Sequence, residues 1–260
     1  MSDLKERVQR VQSDVDSHMV FREEGHSYLW DGKPLRSVSS VKGLVVPPFD
    51  EEFYSAKKAR ESNGKYTQSD IKAMWKSKRD TAASNRTKAH KVIETIYDKG
   101  CPPSTVRPVT ESTSHSVDLV SNAVNNFKIL YNKALHRLVP LAWELRLGNP
   151  DWRVAGTVDL VVQSVSNPNN VMIIDWKTNE RLINNDTFFN YLRQPFNELP
   201  DTNYYQYCIQ LNMYRLLLSH YGLEVDGMYL GWIPCVHVNT CKLIPVDYLQ
   251  DNRLHELIRL

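Results

Sequence analysis

The segment VMIIDWKTNE, residues 171–180, carries an apolar run straight into an acid and a base two positions apart. In a strand, residues i and i+2 point to the same face, so Asp175 and Lys177 share one. Neither group belongs in a buried strand unless it is paired or bound to something. Sixteen residues upstream, Asp159 interrupts another apolar run, VAGTVDLVV. The linker between these runs holds the turn Ser166–Asn170 and is too short for a crossover helix, so the strands pair antiparallel and bring Asp159 toward Asp175. Adjacent carboxylates repel, and one of them takes up a proton or a cation. Oxygen ligands of this kind suit a divalent metal. Lys177 then orients or deprotonates a water, a role that calls for a locally depressed pKa. A plain Asp–Lys salt bridge is the competing account of the pair, and the second carboxylate weighs against it.

The elements that must position these residues follow from periodicity. Leu4, Val8, Val11 and Val15 recur at helical spacing near the N-terminus. Residues 20–46 read as a β-hairpin turning at Asp31-Gly32, and Pro47-Pro48 break the chain. Helices are expected over 51–62 and 69–98, the second interrupted near Ser84-Asn85, with a stop at Gly100 and Pro102-Pro103. Residues 101–116 form a Pro-, Ser- and Thr-rich loop, and an apolar stripe from Val120 to Leu138 marks the next helix. Strands follow over 141–147, 153–163 and 171–177, then a helix over 203–220, strands over 227–233 and 242–246, and a helix in the last ten residues. The fold class is α/β, with residues 1–116 an N-terminal hairpin and helical, basic region, residues 117–260 the core, and one compact domain overall.

The 260-residue chain has a net charge of +2, which conceals a basic stretch. From Lys57 to Lys91 eleven Lys or Arg face three acids, with Tyr66 and Trp75 interleaved. That pattern suits single-stranded nucleic acid, or a solvated helix face. The four cysteines, 101, 208, 235 and 241, form no CxxC and read as reduced thiols. No apolar run spans a membrane, and the N-terminus resembles neither a signal nor a transit peptide, so an intracellular protein without a membrane partner is expected.

GTVD followed by IIDWK resembles the core of the PD-(D/E)xK nucleases, which share the restriction-endonuclease-like fold: a central mixed sheet flanked by helices. RTKAHKVIE (86–94) resembles the His-x-x-x-Glu helix of the RecB-type branch, which includes the mitochondrial genome maintenance exonuclease and viral and phage exonucleases. YCIQLNMY (207–214) resembles its Gln-x-x-x-Tyr motif, and SVSSV in the hairpin its "SVT" entry. The resemblance runs from about residue 20 to 250 with all four motifs in order. It implies metal ligation by His90, Asp159, Asp175 and the Trp176 carbonyl, with Lys177 catalytic, and a role for Gln210 and Tyr214 in positioning DNA and the lysine. Tyr207 lies on the same helix face as these two, Glu94 one turn from His90, and Glu144 where the family often has a glutamate. Trp75, Arg86 and Lys88 are further DNA-contact candidates.

The sequence departs from the family at Asn85-Arg86, where glycine is common. The cysteine spacing does not fit the iron–sulfur members, so no cluster is expected. The implied activity is Mg²⁺- or Mn²⁺-dependent hydrolysis of DNA to 5′-phosphate products in replication, recombination or repair. An imidazole ligand makes Mn²⁺ more competitive. DNA that is single-stranded, frayed or tailed, and replication or recombination proteins, are the implied partners. A cap-snatching RNA endonuclease and an inactive nucleic-acid-binding nuclease fold are the alternatives.

Overall fold

Two helical layers enclose a mixed sheet in the computed structural model, which describes residues 3–22, 24–25, 27–98, 116–182, 190–237 and 239–260. The element order is α1 (Asp3–His18), β1 (Met19–Arg22), β2 (Ser27–Trp30), β3 (Lys33–Ser37), α2 (Val38–Gly43), α3 (Glu51–Glu61), α4 (Gln68–Asp98) and α5 (Ser116–Lys133). It continues with β4 (Pro140–Asn149), β5 (Val154–Gln163), β6 (Val171–Lys177), α6 (Asn203–His220), β7 (Val225–Trp232), β8 (Lys242–Pro245) and α7 (Asp251–Arg259). No described helix is long and apolar enough to cross a membrane.

The N-terminal region departs from the single hairpin expected over 20–46. Its turn at Asp31-Gly32 is present, with φ of 46° and 77°, the left-handed pair a two-residue hairpin turn requires. Met19–Arg22 adds a strand, however, and Val38–Gly43 is a helix. The Ser37 hydroxyl accepts from the Ser40 N–H at 3.0 Å, an N-cap that turns apparent alternation in SVSSV into a helix start. The break expected at Ser84-Asn85 is absent: α4 runs through it, with Asn85 buried. The loop expected over 101–116, and Cys101 with it, lies outside the described residues except for Ser116, which begins α5.

Alternation along β6 divides the core. Val171 and Ile173 join the apolar layer under α1, α2, α6 and α7, and Met172, Ile174 and Trp176 join the layer under α4 and α5. Asp175 and Lys177 therefore face the α6 side. Helix α6 is buried on nearly every face from Cys208 to Leu218, and its polar Gln210 and Asn212 are buried with it.

Strand β5 carries the break that makes the site. One of its edges pairs with β4 along nearly its whole length. Its other edge pairs in parallel with β3 at Val154 and Ala155, and antiparallel with β6 from Leu160 to Gln163. Among the described residues no strand occupies that edge from Gly156 to Asp159. The Tyr214 ring approaches there, so close that a Cβ on Gly156 would stand 2.7 Å from it.

Trp176 is fixed from both sides. Its ring meets Phe127 edge-on at 5.4 Å, and a Cβ on Gly231 would fall 2.3 Å from its indole carbons. Gly231→Ala is therefore expected to lower unfolding free energy by about 1–3 kcal/mol through overpacking. Gly43→Ala, with nothing within 4 Å of the added Cβ, should change it little. Denaturant titration of both variants checks this, and a neutral Gly231→Ala would contradict the packing described.

Candidate active site

The site is assembled where β5 and β6 part. Their register ends at Leu160↔Ile174, so Asp159 and Asp175 come next but do not pair. The Asp159 Oδ2 instead accepts the Trp176 N–H at 2.7 Å. On the opposite edge the register Trp143↔Leu160 and Leu145↔Val158 sets Glu144 across from Asp159. Glu144 has φ of 46°, a left-handed conformation that is strained for a residue with a Cβ. The side-chain alternation of β4 flips there: Trp143 packs on the α4 and α5 side, but Leu145 on the α6 side.

Helix α4 brings His90 to these carboxylates, its Nδ1 3.8 Å from Asp159 Oδ2. One ligand atom from each of His90, Glu144 and Asp159 lies within 4.8 Å of the others. The electrostatics show a site short of positive charge. Burial, then Asp175 and Glu144, push the Asp159 carboxyl well above its ordinary range. Burial, then Glu94 and Asp175, raise Glu144 to about 7. Burial lowers His90 to about 4 despite the opposing charge of Asp175, leaving the neutral imidazole that ligates metals. The buried Nε2 of His90 has no hydrogen-bond partner. A divalent cation fits these residues, because it would satisfy an orphaned nitrogen and offset the repulsion between carboxylates.

Asp175 stands outside that trio and is engaged by α6. Lys177 Nζ forms an ion pair with Asp175 Oδ2, at 11% and 4% side-chain exposure. Gln210 bridges the pair: its Nε2 donates to Asp175 Oδ1 at 3.4 Å, and its Oε1 accepts from Lys177 Nζ at 3.5 Å. The buried Tyr214 hydroxyl accepts from Gln210 at 3.1 Å, so it serves the glutamine from behind. Lys177 Nζ also lies 4.2 Å from the centroid of the Tyr207 ring, whose hydroxyl bonds Asn179. Burial alone would lower the Lys177 pKa, but Asp175, Tyr207 and Asp159 outweigh it and raise it. The depressed pKa expected for this lysine is thus reversed, since carboxylates lie beside it.

Glu94 is half-buried and close enough to Glu144 to raise its pKa. Arg86 and Lys88 are exposed on α4, and Trp75 is half-buried further along it. Lys42 was not visible in the sequence, because its helix reads there as a strand. Its Nζ lies 5.5 Å from the centroid of the same Tyr207 ring, and no described carboxylate forms an ion pair with it. Burial and then the Lys177 charge lower its pKa to about 8.

The family model of the PD-(D/E)XK nuclease superfamily matches residues 72–232, from α4 ahead of His90 to the end of β7. The chain belongs to the PD-(D/E)XK nuclease superfamily. No curated protein matches it. The observed mixed sheet flanked by helices is the restriction-endonuclease-like architecture of this superfamily, as the sequence implied. Membership places the chain among metal-dependent nucleases, hydrolases acting on nucleic acid. The matched range contains Asp159, preceded by Val158 where the family name has proline, and the run Asp175-Trp176-Lys177.

The raised carboxyl of Glu144 sets a stability trend. Its folded pKa, about 7, exceeds the ordinary 4.5, so its contribution is fully present below pH 4.5 and lost as pH rises through 7. His90 opposes this: its pKa falls from 6.5 to about 4, so its contribution appears above pH 6.5 and is lost as pH falls through 4. Glu144→Gln isolates the first effect. In EDTA the variant should gain on wild type between pH 5 and 8, by on the order of 1–3 kcal/mol. Its difference in unfolding free energy should be smallest at pH 5. Parallel pH profiles of the two proteins would contradict the placement of Glu144 among buried acids.

Proposed function

We propose that the protein is a single-strand-preferring DNA exonuclease of the RecB type, acting in the cell in replication, recombination or repair and leaving 5′-phosphate products. The observation that carries this reading is the meeting of two half-sites across the β5–β6 split. His90, Glu144 and Asp159 gather on one side, and Asp175, Lys177 and Gln210 are bonded together on the other. The last three match the acid, lysine and glutamine of the RecB-type motifs.

A Mg²⁺ or Mn²⁺ ion held by His90, Asp159 and Glu144, with Asp175 and the Trp176 carbonyl as further ligands, would polarise the phosphate and acidify a bound water. Lys177, kept protonated by its acidic neighbours, donates to a phosphate oxygen and offsets charge that builds in the transition state. Gln210 fixes the direction of that ammonium through its contacts to both Asp175 and Lys177. Lys42, over the same Tyr207 ring as Lys177, adds a second cation for the neighbouring phosphodiester. Arg86 and Lys88 on the exposed side of α4 attract the backbone from further away, an attraction that weakens with salt.

End-labelled single- and double-stranded DNA and RNA, digested with Mg²⁺, Mn²⁺ or EDTA, test the reading. Single-stranded or tailed DNA should be cut fastest, and EDTA should stop cleavage. Lys177→Ala should lower kcat by about 10²–10⁴-fold while the melting transition survives. Lys42→Ala should act mainly on KM. Equal rates on blunt duplex and single strand would remove the strand preference, and a preference for RNA would favour the cap-snatching alternative.

A further inference from the structure

Four aromatic rings gather outside the site, at the start of the helical region. Phe49, Phe53 and Tyr54 are 62%, 54% and 41% exposed. Phe49 stacks on Tyr54 at 5.0 Å and meets the half-buried Trp75 at 5.6 Å, while Phe53 abuts Tyr54 at 5.2 Å. Single exposed apolar side chains are ordinary, but a contiguous group in mutual contact marks an interaction surface. Its surroundings carry both signs, but the acids between the rings are engaged: Asp50 caps the helix by accepting the Phe53 N–H, Glu51 pairs with Arg79 and Glu52 with Lys72. Lys76 and Lys78 are exposed and form no ion pair among the described residues, and Lys57 and Lys58 share one acid, Glu61, at 4.0 and 3.8 Å. Flat rings on a segment whose neighbouring helices carry unpaired lysines complement unpaired bases on a phosphate chain, and a duplex hides its base faces.

Helix geometry relates this surface to the cleavage site. Trp75 precedes His90 by fifteen positions on unbroken α4, which is about 22 Å along the axis and about 60° around it. Arg79 and Arg86, eleven and four positions before His90, lie within about 40° of its direction. Arg86 is exposed on that line, and Arg79 is held on it by Glu51 at 3.2 Å.

We propose that Phe49, Phe53, Tyr54 and Trp75 form a stacking site for unpaired bases, set about four to seven nucleotides from the scissile phosphate. The enzyme then has a minimum efficient substrate length. This rests on the nuclease reading given above.

The test is a series of 5′-labelled oligothymidylates from 3 to 20 nucleotides, with kcat/KM and binding anisotropy measured for wild type, Phe49→Ala/Tyr54→Ala and Phe49→Trp/Tyr54→Trp. Wild type should show a rise of about tenfold or more in kcat/KM once the oligomer spans both places. The alanine pair should flatten that rise and weaken binding of the long oligomers, and the tryptophan pair should restore both. Retained length dependence in the alanine pair overturns the proposal, as does equal loss on trimers and 20-mers. Self-association of wild type that the alanine pair abolishes, seen by light scattering, also overturns it by making the surface a contact between copies. If no protein cuts any oligomer yet length-dependent binding is lost in the alanine pair, the stacking site stands and the catalytic reading falls.

Discussion

The site depends on a single exchange of hydrogen bonds. At Asp159 and Asp175 the β5–β6 ladder stops, and the Trp176 N–H goes to the Asp159 carboxylate instead of to a strand carbonyl. A buried N–H left unsatisfied costs about as much as a lost hydrogen bond, so the strands can part there only because a side chain takes over. That parting opens the edge of β5, admits His90 from the layer behind and Gln210 from the layer in front, and keeps Trp176 still between them. The Gly231 contact and the Phe127 edge hold the indole, and thereby the peptide that donates.

A second constraint follows from the first. Opening the sheet places Glu144, Asp159 and Asp175 near one another, away from bulk solvent. The positive charge of Lys177 is claimed by Asp175. The remaining two acids hold their protons more tightly than ordinary carboxyls, and the neutral His90 contributes no charge. The left-handed backbone at Glu144 shows that the fold tolerates strain to keep this crowding. Such an arrangement is poor for stability and good for capturing a cation.

How much of this could be read beforehand depended on how local each signal was. Strand β6 and helix α6 match their expected bounds because long apolar runs and a capped helix start are encoded within each segment. The stripe Leu4, Val8, Val11 and Val15 is buried for the same reason. Helix α2 was misread because SVSSV alternates like a strand, and the deciding cap is one hydroxyl; Lys42 was lost with it. Nothing near Glu144 announces a left-handed residue, since neither glycine nor asparagine stands there. The pKa direction of Lys177 was inverted because it depends, besides Asp175, on distances to Tyr207 and Asp159 from other segments. Clustering in space is not written in spacing along the chain.

The parallel pairing of β6 with β7 has a consequence for how the molecule comes into being. Residue-by-residue pairs join Ile173 through Lys177 to Met228 through Trp232, across the intervening α6. A ribosome emits His90, Asp159 and Lys177 well before that neighbour exists. Strand β6, carrying two charged groups in an apolar run, has no parallel edge to join until some fifty further residues have been added. Contacts of such sequence separation form late and slowly. On the growing chain, β6 thus has only its hairpin partner β5 until α6 and β7 have followed it.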